Sequence, residues 1–196
     1  MKRLFDIFAS GLGLIVLSPL FAVLAVWIKA DSRGPVFYRQ TRVGRNNRDF
    51  RLYKFRSMRV GSDKKGLITV GGHDPRVTRS GYYIRKYKLD EFPQLINVFT
   101  GDMSLVGPRP EVRKYVDMYT PEQMRVLTVR PGITSLASIR YRNENDILAA
   151  AEDPDRCYIE QVMPDNLAID LEYVDRASLW NDILLIFSTF REIIVR

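Results

Sequence analysis

The uncharged run from Ile7 to Ile28 is the feature that most constrains how this chain folds. It contains 22 consecutive residues without a charged side chain, and a helix needs about 20 apolar residues to cross the core of a bilayer. A secretory signal fits less well, because its apolar region has about 7–15 residues. We therefore predict two parts, a membrane helix in residues 1–30 and a membrane-associated globular domain in residues 31–196.

Positive charge lies on both sides of this run. Lys2 and Arg3 precede it, and residues 29–60 hold ten Lys or Arg against two Asp, a net charge of +8 in a chain whose total is +7. Cationic flanks favour the cytoplasmic side of a membrane. A single straight crossing would put one of the two cationic flanks on the side of the membrane away from the cytoplasm, which the rule disfavours.

Ser18 and Pro19 lie in the middle of the run. Pro19 has no backbone N–H and its ring clashes with the Ile15 carbonyl, which predicts a kink, and the Ser18 hydroxyl can bond a freed carbonyl. The two legs would be about 17 and 14 Å long, or half a bilayer each. We interpret the segment as a re-entrant, Pro-kinked helix. A spanning helix is the alternative, since proline is common in membrane helices.

The pattern after the run is typical of an α/β domain that is rich in helix and has short β-hairpin strands. Residues 36–38 and 50–53 predict strands around a polar hairpin at 44–48. Residues 61–66 predict a loop and residues 67–70 a further strand. From Ser80 onward the apolar spacing is helical, and Thr120 to Gln123 form a capping box for a helix that ends near Pro131.

The chain has a single cysteine, Cys157. It cannot form an internal disulfide, and no Cys/His spacing matches a zinc site, so a reducing, cytoplasmic setting is favoured. We assign no role to Cys157 or to His73.

The segment from Ser178 onward is amphipathic. Its broad apolar stripe contains Leu179, Ile183, Ile186, Phe187, Phe190 and Ile193. Packing against the core is the ordinary interpretation of such a stripe. Because Trp180 accompanies it and Arg191 flanks its end, a helix lying on the membrane surface is the alternative.

Asp90 and Glu91 are adjacent carboxylates just ahead of Pro93, which fits only in the first turn of a helix. Both acids are therefore expected at a helix N-terminus, where capping and first-turn stabilisation are the ordinary explanation. A helix N-terminus can also bind phosphate, and a carboxylate there can attack phosphorus or hold Mg²⁺. The basic residues just upstream, including Arg85, favour this second interpretation.

Further cations are placed where they can meet an anion. Lys54 and Arg56 alternate with apolar residues, as in a strand that packs one face and presents cations on the other; a charged edge strand is the alternative. Prolines flank Arg109 on both sides and restrict its backbone, so its guanidinium can be aimed at small entropic cost. A surface salt bridge is the alternative for each cation.

Taken together, these motifs resemble the monotopic phosphoglycosyl transferases of the bacterial sugar transferase family. The resemblance extends over about residues 1–135. It rests on the apolar N-terminus and on segments 54–58, 74–78, 85–94, 101–111 and 130–134. The run from Asp102 to Glu111 is its most specific part.

The resemblance implies transfer of a sugar 1-phosphate from a nucleoside diphosphate sugar, usually a UDP-sugar, to undecaprenyl phosphate, with release of UMP. Asp90 would be the nucleophile and Glu91 a metal ligand or base, with both acids near Mg²⁺. Phosphates would be held by Lys54, Arg56, Arg85 and Arg109, with Glu111 orienting the Arg109 loop. The implied location is the cytoplasmic face of a bacterial inner membrane, in contact with its lipids. A homodimer is left open.

One segment departs from the family pattern. Many relatives continue after residues 131–134 with Gly-Trp-Ala-Gln, whereas Ser135 to Arg142 follow here. The identities of the sugar and the nucleotide therefore stay open. A noncatalytic membrane scaffold or anion-binding module, with Asp90 as a helix cap, is the competing function. Nucleic acid is not an expected partner, because the basic segment lacks a binding motif.

Overall fold

The computed structural model describes residues 1–62, 74–141 and 144–194, without the side chains of residues 145, 146, 190 and 192–194. The strand expected at 67–70, most of the loop expected at 61–66 and His73 lie outside the described residues. The helices are α1 (Lys2–Asp31), α2 (Arg79–Lys86), α3 (Gln94–Thr100), α4 (Arg113–Val116), α5 (Leu136–Arg140), α6 (Glu144–Ala150), α7 (Pro154–Cys157), α8 (Met163–Asp175) and α9 (Leu179–Ile194). The strands are β1 (Phe37–Val43), β2 (Asp49–Phe55), β3 (Ser104–Val106) and β4 (Gly132–Thr134).

Helix α1 continues through Pro19 as one helix of 30 residues, about 45 Å long. The two predicted legs are therefore parts of a single helix and not separate arms of a hairpin. Ser18 Oγ donates to the Ile15 carbonyl oxygen at 2.8 Å. This confirms that the hydroxyl bonds the carbonyl that Pro19 deprives of its usual donor. By length and composition α1 is able to cross a membrane.

The N-terminal end of α1 is bonded to the globular domain. The buried Asp6 carboxylate accepts from Ser104 Oγ at 3.2 Å and from the Leu105 N–H at 3.1 Å. Lys2 Nζ donates to the Val106 carbonyl at 3.0 Å and also pairs with the buried Asp182 carboxylate of α9. These contacts fix the start of α1 against β3 and α9.

The C-terminal end of α1 is bonded to the same domain. Leu24 and Ile28 are buried in a cluster with Phe55 of β2 and Ile84 of α2. Asp31 accepts from the Ser80 N–H at 2.9 Å and from Ser80 Oγ at 2.8 Å, which joins the end of α1 to the start of α2.

Between these ends one face of α1 carries exposed apolar side chains. Its large exposed residues are Leu4, Ile7, Phe8, Leu12, Ile15, Val16, Val23, Val26 and Trp27. An apolar surface of this extent is expected of a segment that contacts lipid.

The guanidinium of Arg56 caps the end of α1. It donates to the carbonyls of Ser32 at 2.7 Å, Ile28 at 3.3 Å and Arg33, and only 4% of the residue is exposed. The last carbonyls of a helix have no partner within the helix. Arg56 therefore stabilises the junction between α1 and β1.

Strands β1 and β2 form the predicted antiparallel hairpin, with Phe37 opposite Phe55 and Val43 opposite Asp49. Asn46 and Asn47 in the turn adopt positive φ, as polar hairpin turns often do. The strands are longer than expected from the sequence, because exposed Arg and Thr residues extend them beyond the apolar positions.

Strands β3 and β4 form a short parallel pair. A Cβ at Gly107 would lie 2.3 Å from the Arg130 carbonyl oxygen, and one at Gly132 would lie 2.1 Å from the Gly107 nitrogen. Only glycines permit this approach of the two backbones. The contact sets the position of the loop that carries Arg109.

The helical expectations from Ser80 onward hold for α2 and α3. The capping box is also confirmed, since the Thr120 N–H donates to Gln123 Oε1 and the Gln123 N–H to Thr120 Oγ1. The helix that follows is a 3₁₀ helix over residues 123–128, shorter than expected.

Helix α9 packs one side and exposes another. Ile183 and Ile186 are half-buried, as core packing predicts. Trp180, Leu184 and Phe187 are 68%, 51% and 69% exposed, and they lie three or four residues apart on one face. The expected core position of Phe187 is thus wrong, and this face agrees with the membrane-surface alternative.

An Arg56→Met substitution is expected to lower the free energy of unfolding by about 2–3 kcal/mol, because charge-assisted bonds to three carbonyls are lost in a buried place. Thermal unfolding in detergent measures the change. Arg59→Met is the matched control, since Arg59 is exposed and the structure's described residues give its guanidinium no hydrogen bond. Equal stability of the two variants would contradict the capping role.

Candidate active site

Asp90 and Glu91 lie in a single 3₁₀ turn, Leu89–Glu91, between α2 and α3. Lys88 adopts a left-handed conformation with φ 56°, which redirects the chain after α2. The Phe92 N–H donates to the Leu89 carbonyl at 3.3 Å, so the turn leads directly toward α3. The predicted position of both acids ahead of a helix is confirmed.

The Asp90 carboxylate does not cap this turn or the helix that follows. Among the described residues it accepts no hydrogen bond and forms no ion pair, although the residue is half-buried. Burial raises the pKa of Asp90, the neighbouring Glu91 charge adds to the rise, and Lys54 and Arg85 oppose it. The ordinary explanation of Asp90 as a helix cap therefore has no support in the geometry.

Glu91 is held by Lys54 of β2, whose Nζ lies 2.8 Å from Glu91 Oε1. Burial alone would raise the pKa of Glu91, but the charges of Lys54 and Arg109 outweigh it and lower the pKa to about 2. The environment thus shifts the pKa values of two adjacent carboxylates in opposite directions. Such divergence is typical of acids that have different chemical roles.

The buried Asn97 of α3 fixes the pair of Asp90 and Glu91, which we call the dyad, relative to β2. Its Nδ2 donates to the Arg51 carbonyl at 2.8 Å, and its Oδ1 accepts from the Tyr53 N–H at 2.9 Å. Lys54 follows Tyr53 directly, so these bonds determine where Lys54 meets Glu91. Sequence reasoning missed Asn97, because an isolated Asn within a helical pattern carries no distinctive signal.

Arg109 lies in a loop between two buried prolines, Pro108 and Pro110. Arg109 itself is exposed at the surface. The protein atoms around its guanidinium would lower the pKa by desolvation, but the negative charges of Glu144, Glu91 and Glu111 raise the pKa above its usual range. Arg109 is therefore a permanent cation between the dyad and a second group of acids.

Glu111 anchors this loop to β1. Its Oε1 accepts from Arg42 Nη1 at 2.9 Å, its Oε2 accepts from the Tyr158 hydroxyl, and its carbonyl accepts from the Val43 N–H at 2.8 Å. The contacts support the loop-orienting role expected for Glu111. They also identify Arg42 and Tyr158, which the sequence pattern did not single out.

The structure brings most of the predicted phosphate-binding cations toward the dyad. Lys54 and Arg109 act on Glu91, and half-buried Arg85 acts on Asp90. Arg56 differs, because its guanidinium is committed to the end of α1. A phosphate role for Arg56 stays a prediction that this geometry does not support.

A polar cavity lies on the other side of Arg109. It is lined by Arg109, Glu111, Tyr119, Ala137, Ser138, Glu144, Tyr158, Met163, Asn166, Leu167 and Asp170. Burial raises the pKa of Asp170 to about 7, although the N–H groups of Arg109 and Ala137 oppose the rise. Sequence reasoning missed this cavity, because its polar residues are spread over α5, α6, α8, the Arg109 loop and the segments that hold Tyr119 and Tyr158.

The dyad fits Mg²⁺ only together with a ligand that brings oxygens of its own. Among the described residues no group of three or more His, Cys, Asp or Glu side chains is placed to hold a metal ion. Asp90 and Glu91 supply two carboxylates, one of them paired with Lys54. Mg²⁺ is commonly held by one or two carboxylates and the phosphates of a substrate, so a diphosphate would complete such a site.

Several curated proteins are similar to this chain. A UDP-N-acetylgalactosamine-undecaprenyl-phosphate N-acetylgalactosaminephosphotransferase of Aeromonas hydrophila is 44% identical, over 99% of this chain and 44% of its own length. A UDP-glucose:undecaprenyl-phosphate glucose-1-phosphate transferase of Escherichia coli (strain K12) is 38% identical, over 96% of this chain and 39% of its own length. The exopolysaccharide production protein PSS of Rhizobium leguminosarum bv. phaseoli is 40% identical, over 96% of this chain and 92% of its own length.

The first two relatives are more than twice as long as the part that this chain matches. The sequence model of the family described as Bacterial sugar transferase matches residues 1–196. The chain therefore belongs to the bacterial sugar transferase family.

Proposed function

We propose that this chain transfers a sugar 1-phosphate from a UDP-sugar to undecaprenyl phosphate. The observation that carries the proposal is the Asp90 carboxylate. It is half-buried, it caps no helix, and it forms no ion pair with any described residue, although cations from β2, α2 and the Arg109 loop act on the two acids. The names of the relatives, which refer to UDP-sugars and undecaprenyl phosphate, support the choice of substrates.

In the first step an Asp90 carboxylate oxygen attacks the phosphorus that bears the sugar. An oxygen–phosphorus bond forms, the bond to the bridging oxygen of the diphosphate breaks, and UMP leaves with that electron pair. Arg85, Lys54 and Arg109 would stabilise the charge that develops on the phosphate oxygens. The product on the enzyme is an acyl-phosphate that carries the sugar.

In the second step a phosphate oxygen of undecaprenyl phosphate attacks the same phosphorus. The bond to the Asp90 oxygen breaks, which regenerates the carboxylate and gives undecaprenyl-diphosphate-sugar. Neutralisation of the diphosphate charge is the chemistry that Mg²⁺ supplies when it is bound at the dyad. A pKa of about 2 makes Glu91 a poor base at neutral pH, so we assign it to metal binding and to holding Lys54.

A lipid phosphate and a soluble nucleotide sugar meet only at a membrane surface. We propose that α1 enters the cytoplasmic leaflet of the inner membrane and does not cross it. Both of its ends are bonded to the same domain, through Asp6 at one end and Asp31 at the other. The cationic segment behind α1 would add attraction to an anionic leaflet of about 1 kcal/mol per residue.

An Asp90→Asn variant is expected to lose UMP release from UDP-sugars by about three orders of magnitude or more, because an amide cannot form the acyl-phosphate. The assay uses detergent-purified protein, Mg²⁺, undecaprenyl phosphate and a panel of UDP-sugars. Asp175→Asn is the control, because Asp175 is an exposed acid of α8 that pairs with Arg125 and lies outside the dyad. Undiminished turnover in a folded Asp90→Asn protein would overturn the assignment.

A Lys54→Met variant is expected to move the acid limb of the kcat/KM–pH profile to higher pH, by about one pH unit. Lys54 lowers the pKa of both acids, so its removal raises the pH at which they ionise. Lys88→Met is the matched control and should shift the limb less, because exposed Lys88 acts more weakly on each acid. An unchanged limb in the Lys54→Met variant would contradict the electrostatic role of Lys54.

Both ends of α1 are expected on one side of the membrane. A cysteine added before Met1 and an Ala30→Cys substitution, each in a Cys157→Ser background, can be labelled from either side of a sealed vesicle. Labelling of both sites from the cytoplasmic side alone agrees with a helix that enters and leaves on that side. Labelling of the two sites from opposite sides would establish a crossing.

A further inference from the structure

The polar cavity beside Arg109 contains two acceptors that no described residue of the protein satisfies. Asn166 Oδ1 and Asp170 Oδ1 are both buried and have no hydrogen-bond partner among the described residues. Only 4% of Asp170 is exposed, and both residues lie on α8 four positions apart, so they share one helix face. Buried polar atoms in folded proteins are nearly always paired with protein groups, ordered water or a ligand, so these two oxygens are available to a ligand that brings donors.

Arg109 couples the cavity electrostatically to the dyad. Asp170 Oδ2 accepts from the Arg109 N–H at 3.4 Å, while the Arg109 guanidinium acts on Glu91. Arg109 thus lines the cavity and carries a charge that acts on Glu91. The part of a nucleotide sugar that is bonded directly to the reacting phosphate is the sugar. The nucleobase is separated from it by a second phosphate and a ribose.

The chemistry of the cavity also matches a sugar. Asn166 and Asp170 present carbonyl and carboxylate oxygens, and Glu144 adds another carboxylate to the lining. Hydroxyl groups are the donors that a hexose carries in abundance, and a carboxylate can accept from two of them. Arg109 neutralises the accumulated negative charge from one side.

We propose that this cavity is the sugar-binding subsite and that Asn166 and Asp170 determine which sugar is accepted, by accepting hydrogen bonds from its hydroxyl or amide N–H groups. The inference rests on the proposed function. It places specificity on α8, downstream of the segment at 135–142 that departs from the family pattern.

The test compares the affinities of UDP and UDP-sugars for the detergent-purified chain. Titration calorimetry with UDP, UDP-glucose and UDP-N-acetylgalactosamine is performed in the Asp90→Asn background, so that no chemistry accompanies binding. Asn166→Leu removes one acceptor, and Asp170→Asn replaces the other by an amide of similar size. Asp175→Asn is the matched control, because Asp175 lies on the same helix but is exposed and pairs with Arg125. Thermal unfolding verifies that each variant is folded.

We expect at least one UDP-sugar to bind more tightly than UDP. Asn166→Leu and Asp170→Asn should each reduce that preference about tenfold and leave the affinity for UDP within about twofold. Asp175→Asn should change neither affinity.

Three results would overturn the inference, and they differ in what they leave standing. Unchanged preference in both folded cavity variants would remove the sugar subsite and leave the proposed function intact. An equal loss for UDP and UDP-sugar would assign the cavity to the nucleotide. Absence of binding by every nucleotide tested would overturn the proposed function and the subsite together.

Discussion

The attachment of both ends of α1 to one domain is the constraint on which the rest of the structure depends. An apolar helix gains little free energy from contact with a cationic surface. The attachment of α1 therefore relies on polar groups that would be costly to leave unpaired. At the N-terminal end Asp6 binds the start of β3, and at the C-terminal end Arg56 covers the last carbonyls. The apolar middle of the helix is left exposed. This arrangement places β2, α2 and the dyad close to the C-terminal end of the helix.

The candidate site is organised by the separation of two neighbouring carboxylates. Glu91 pairs with Lys54 and is kept ionised, whereas Asp90 has no such partner in the described part of the chain and is disfavoured as an anion by burial. Adjacent residues point in different directions, so one strand-borne cation can pair with only one of them. Asn97 fixes this choice by bonding α3 to the backbone of β2 on either side of Leu52. The geometry therefore gives the two acids different environments.

The sequence left the structural roles of Asp90 and Arg56 open, and the local geometry of each residue explains why. The capping explanation of Asp90 was reasonable, because most Asp residues ahead of a helix bond its first N–H groups. Here the 3₁₀ turn precedes α3 and no such bond forms. Arg56 looked equivalent to Lys54, since both follow the alternation of a strand. Lys54 lies within the hairpin, whereas Arg56 lies just past its end, where the carbonyls of α1 are the nearest acceptors.

The sequence by itself determined the apolar helix, its cationic flanks, the β-hairpin and the acidic dyad ahead of a helix, because periodicity, proline and charge act over a few neighbouring residues. It also identified the family through the run from Asp102 to Glu111. Only the tertiary structure decided which cation pairs with Glu91, that Arg56 supports a helix end, and that Asn166 and Asp170 face a cavity beside Arg109. Those outcomes depend on contacts between residues distant in the chain, whose partners are set by how the elements pack and not by any local pattern.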